Sequence, residues 1–232
     1  MKIGCIPYRH ALPFAGAWAG HETVWAHPTE LAKKLFAGEV DLALVPVWDV
    51  LIRPGTRALD RVAIGSKGEV RSVGVFYDRP LAECRSIRFT PHSVTSVQLW
   101  KLVAERLRLN LPEETHGEAK LLIGDEALAE WNLREGAGVL DLGQAWTEWT
   151  EKPFVFAVWA LGPGVHVPPG ELKRFREACL LGIERRVELG KDEQEKEYLL
   201  RCIRYGLGPE EKEGLTEFAR RSNLQKVEIE WV

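Results

Sequence analysis

No stretch of this chain is long and apolar enough to cross a bilayer. The longest run without a charge, Pro153 to Gly170, is interrupted by prolines, glycines and His166. Its apolar part, Phe154 to Leu161, has the length of a strand, well short of the roughly 20 residues a span demands. An excess of one charge is also missing: 31 Lys and Arg stand against 34 Asp and Glu, a net charge of −3. That balance argues against a disordered acidic tail, a nucleic-acid binder and a membrane-surface protein. The four cysteines, at 5, 84, 179 and 202, form no C-x-x-C pair, so neither a zinc site nor a disulfide framework is expected. The apolar residues behind Met1 end within a few positions at Tyr8-Arg9-His10, too soon for a secretory h-region. With free cysteines, this points to a cytoplasmic protein. Phosphate loops, dinucleotide fingerprints, nucleophile elbows and H-E-x-x-H are absent, and the six histidines are scattered. No cofactor and no metal is expected.

What is present alternates short apolar runs with amphipathic segments. Lys2 to Ile6, Thr23 to Ala26, Val40 to Val45, Val62 to Ser66 and Val70 to Tyr77 read as strands, with a helix from Pro28-Thr29 to Gly38, capped at Thr29. A second series follows: strands Ser86 to Phe89, Lys120 to Ile123 and Gly138 to Leu142, with helices from Ser93, Asp125 and Gly143. Phe154 to Leu161 is a strand of its own. From Pro168 onward the stripes are helical, over Glu171 to Leu189, Glu193 to Tyr205 and a third helix from Pro209. The fold class is therefore α/β. Two lobes are expected, residues 1–78 with a return of 154–232, and 79–153, with a ligand cleft between them and a helical C-terminal segment. The nine tryptophans are read as core and lobe-interface packing.

Strand-to-helix turns are where such a cleft finds its polar groups. Thr90-Pro91-His92-Ser93-Val94-Thr95-Ser96 places hydroxyls at a helix start, either as caps or as part of an anion cradle. Gly143-Gln144 and Gly124-Asp125 occupy comparable turns. Tyr8-Arg9-His10 ends the first strand, and a histidine there can donate, accept or act as a base.

The strings Lys2 to Pro13, Gly38 to Val45, Val70-Arg71-Ser72-Val73, Thr90 to Val97, Leu121 to Leu128, and Asp141-Leu142-Gly143 through Trp159-Ala160 resemble the chorismate dehydratases of the futalosine route to menaquinone. The resemblance covers residues 2 to about 161. It implies a two-lobed fold like the type II periplasmic solute-binding proteins. It also implies cofactor-free conversion of the dicarboxylate chorismate to 3-[(1-carboxyvinyl)oxy]benzoate with loss of water. In that family the substrate's enolpyruvyl carboxylate is thought to be the base, held by a polar residue of the first motif and a serine of the crossover strand. Carried over, these are His10 and Ser72, with Tyr8, Ser93, Thr95, Ser96 and Gly143 binding substrate. The first position is usually asparagine in the family; His10 can replace it as a donor, become the base itself, or mark a changed substrate. Two other readings remain. One is a non-catalytic binding protein for a small carboxylate, the other the pathway's 1,4-dihydroxy-6-naphthoate synthase, whose Cys-Pro-Asn-Asp opening is missing here. The sequence leaves the oligomeric state open.

Overall fold

A computed structural model describes residues 1–224 and 227–232. Strands β1 (Lys2–Cys5), β2 (Glu22–Trp25), β3 (Leu42–Pro46) and β4 (Thr56–Ser66) open the first sheet. Strands β5 (Val73–Phe76), β6 (Ile87–Arg88), β7 (Ala119–Ile123) and β8 (Val139–Asp141) form a second sheet in the order β6-β7-β5-β8. The chain then returns through β9 (Phe154–Leu161), β10 (Arg204–Leu207) and β11 (Ile229–Trp231), so the first sheet reads β10-β4-β9-β3-β1-β2, with β11 also on β4. β1 runs parallel to β2 and β3, while β9 lies antiparallel between β3 and β4. Its eight residues are all buried, which an uninterrupted apolar strand requires.

Helices cover both sheets: α1 (Ala15–Trp18), α2 (Pro28–Phe36), α3 (Val47–Leu51), α4 (Val94–Arg106), α5 (Gly124–Arg134), α6 (Leu142–Thr150), α7 (Pro169–Glu184), α8 (Glu193–Glu197) and α9 (Pro209–Arg221). Among the described residues no helix is long and apolar enough to cross a membrane. α2 starts two residues earlier than a cap at Thr29 implies, with His27 at the N-cap position, Pro28 in its first turn and no side-chain cap.

Three local expectations change. The second sheet begins at Val73, so the crossing between lobes is 67–72, ahead of the expected boundary after residue 78. All four residues of β5 are buried between β7 and β8, the place of a central strand. The helix expected over Glu193 to Tyr205 stops early: a π turn at Tyr198–Cys202 follows α8, and Arg204–Leu207 is a strand. There Tyr205 and Leu207 face inward while Gly206 faces out, an alternation of period two that a helical reading of a short segment absorbs. The C-terminal segment thus supplies strands as well as helices.

A 3-10 turn at Arg9–Phe14 carries His10 out of β1 and rests on α7. The contact is backbone to backbone, for a Cβ on Gly182 would lie 1.7 Å from the Pro13 carbonyl oxygen. Gly182→Ala should therefore cost about 2 kcal/mol, as overpacking does, and lower the melting temperature by about 4–8 °C. A thermal melt within one degree of wild type would show that the turn retreats freely.

Candidate active site

The carboxyl ends of β1, β3 and β7 and the 67–72 crossing converge between the sheets on a cleft. Ile6, Pro46, Ile64, Val73, Ile123 and Phe156 make its walls apolar, and Tyr8, His10, Ser72, Ser93 and Ser96 supply the polar groups. Among the described residues no Lys, Arg, Asp or Glu lines it.

The two lobes meet around this cleft. Arg9 N–H donates to Asp125 Oδ1 (2.9 Å), Thr29 N–H to the His92 carbonyl (3.3 Å), and Trp48 N–H to Thr95 Oγ1 (3.1 Å). His27 stacks on His92 with ring centroids 3.8 Å apart, and the Tyr8 hydroxyl lies 3.0 Å from His27 Nδ1. Tyr8 also presses on Gly124, where a Cβ would sit 2.7 Å from the ring; Gly124 is at φ +63°, a conformation glycine adopts without strain.

His10 is buried, and its Nδ1 lies 3.2 Å from the Tyr198 hydroxyl. Burial lowers its pKa to about 4, so the imidazole is neutral at neutral pH. Ser72 is equally enclosed. Its N–H donates to the Val70 carbonyl (2.6 Å), and its carbonyl accepts from Gly124 N–H (2.8 Å). Its hydroxyl reaches the Val70 carbonyl at 3.3 Å and also the Tyr198 phenol. Arg71, just before it, sits at φ +57°, a left-handed turn that costs a side-chain-bearing residue about 1–2 kcal/mol. Asp141, the N-cap of α6, holds that turn: it accepts from Val70 N–H, Arg71 N–H (2.7 Å) and Gln144 N–H (2.9 Å). Burial raises its pKa to about 6, against the lowering effect of those same bonds.

Ser93 caps α4 by accepting from Ser96 N–H (3.2 Å), and the two hydroxyls lie 2.9 Å apart at the cleft. Thr95 and Gly143 stand elsewhere. Thr95 is fully buried and spends its hydroxyl on α3 through Trp48. Gly143 packs under the crossing, where a Cβ would meet Ser66 Oγ at 2.4 Å and the Gly68 carbonyl at 2.8 Å. Neither lines the cleft. Sequence reasoning misses Tyr198, which belongs to a stripe read as core, and His27 at the lobe contact.

Two α/β lobes closed over a mostly apolar cleft define a binding-protein architecture, and solved structures agree. A protein of Archaeoglobus fulgidus matches with TM-score 0.73 at 16% identity, covering 95% of this chain and 96% of that one. A Candida albicans gene product described as having the generic periplasmic binding protein structural fold matches with TM-score 0.64 at 12% identity, covering 97% and 89%. At such identities the likeness concerns the fold alone. The sequence relation is more specific: the chain belongs to the menaquinone biosynthesis family, whose model matches residues 1–223. The chorismate dehydratase of Thermus thermophilus is 29% identical over 238 residues, with 88% of each chain covered.

Proposed function

We propose that the chain is a chorismate dehydratase acting in menaquinone biosynthesis, converting chorismate to 3-[(1-carboxyvinyl)oxy]benzoate and water without a cofactor. The observation that carries this reading is the meeting of His10, from the turn after β1, and Ser72, from the 67–72 crossing, in one cleft with the Ser93–Ser96 pair. Loss of water makes the ring aromatic, so the reaction needs holding and orientation more than a strong catalyst. The ring proton beside the ether oxygen leaves to the substrate's enolpyruvyl carboxylate, the C–O bond to the 4-hydroxyl breaks as the ring becomes aromatic, and the carboxylate's proton passes to the departing hydroxide to give water. Ser72 and His10 hold that carboxylate, and the hydroxyls at the α4 start bind the second one, where helix N–H groups favour an anion. A histidine with its pKa near 4 is a poor base, which favours the donor among its possible roles.

Incubation of the purified protein with chorismate, with products separated and weighed by mass spectrometry, tests the proposal. Enzyme-dependent loss of one water to the enolpyruvyl-oxy benzoate is the expected result. Chorismate that binds but survives intact would replace the enzyme with a binding protein.

A further inference from the structure

Tyr198 is drawn from the far end of the chain to the back of the cleft, 188 residues beyond His10. It opens the π turn at Tyr198–Cys202, a wide turn that often marks functional positions. Its ring is almost fully buried. Burial also holds its phenol well above the ordinary value, so it keeps its proton. A buried O–H needs an acceptor, and two groups compete: His10 Nδ1 at 3.2 Å and the Ser72 hydroxyl.

We propose that Tyr198 is a positioning residue whose hydroxyl donates to His10 Nδ1, fixing the imidazole as the Nε2–H tautomer so that it offers a donor to an anionic substrate. This rests on the reading of the cleft as a carboxylate-holding site. The hydrogen-bond ledger closes in only one direction that suits an anion. With Ser72 donating to the Val70 carbonyl and the phenol donating to Nδ1, every buried proton is placed and Nε2–H is left for the ligand. In the reverse order His10 Nδ1–H donates to the phenol, the phenol donates to Ser72 Oγ, and Nε2 offers a carboxylate only a lone pair. A neutral histidine with a fixed tautomer then does what an amide N–H₂ would do at that position.

The test uses histidine labelled with 15N in the whole protein, with Tyr198→Phe, His10→Asn and the double variant beside wild type. In wild type without substrate, the His10 resonances should show a bare Nδ1 and a protonated Nε2; in Tyr198→Phe both tautomers should be populated. Turnover of chorismate should fall about tenfold in kcat/KM for Tyr198→Phe. In the His10→Asn background, which has no tautomer to fix, the same change should alter kcat/KM by less than twofold. A protonated Nδ1 in wild type would overturn the proposal. So would an equal loss from Tyr198→Phe in both backgrounds, since that is the behaviour of a residue that only supports the fold. Should chorismate not turn over at all, the resonances still decide the tautomer, and the two readings stand or fall separately. Should Tyr198→Phe fail to fold, the wild-type resonances decide alone.

Discussion

Ser72→Ala is expected to lower chorismate turnover about 10²- to 10³-fold, the usual cost of removing one donor aimed at a developing or transferred charge. Stability should change much less. The hydroxyl makes one long bond to the Val70 carbonyl and shares the Tyr198 phenol, so its loss costs about 1 kcal/mol. The Ser72 backbone, by contrast, is held at both ends, by Val70 and Gly124, and an alanine keeps both bonds. Steady-state kinetics and a thermal melt on the same preparation separate the two effects. Wild-type kcat in the alanine variant would remove Ser72 from the mechanism.

The largest effect on stability should come from Asp141→Ala. The change leaves three N–H groups without an acceptor, those of Val70, Arg71 and Gln144, at about 1–3 kcal/mol each. Against that, the variant is relieved of a carboxylate whose pKa burial has raised from 3.8 to about 6. A raised pKa means that the folded protein binds this proton more tightly than the unfolded chain. The stability contributed is complete below about pH 4 and is lost as pH rises through 6, roughly 3 kcal/mol for about two units. At pH 8 the two contributions oppose each other and the variant should be about 3 kcal/mol less stable than wild type. At pH 4 the deficit should widen to about 6 kcal/mol. Denaturant unfolding of both proteins at matched pH values measures it. A deficit that narrows on acidification would mean that the hydrogen bonds outweigh burial and keep Asp141 ionised.

Much of this arrangement is legible in the chain, and the exceptions have physical reasons. Phe154 to Leu161 is marked off as a strand because a long apolar run between Pro153 and Gly162 has no polar face to turn outward. The α4 start is legible too, yet three hydroxyls in one turn look alike in a string. Helical geometry separates them: Ser93 and Ser96, three residues apart, share a side, whereas Thr95 points toward α3. The crossing at 67–72 is obscured because Val70 to Tyr77 reads as one extended run despite Arg71 and Ser72, and only pairing with β7 and β8 shows where one lobe ends. Tyr198 carries no local signal at all. Its meaning arises from a contact that spacing along the chain does not encode.

That long-range contact also sets a schedule for the growing chain. The β1-α2-β3 unit emerges early, but β10, at the far edge of the first sheet, and the hydroxyl that faces His10 come late. At synthesis rates of about 5–20 residues per second, the 188 residues between His10 and Tyr198 correspond to roughly 10–40 s. Throughout that interval His10 has no phenol to meet. On the proposed reading, the groups assigned to the carboxylate are complete only once this late segment has docked.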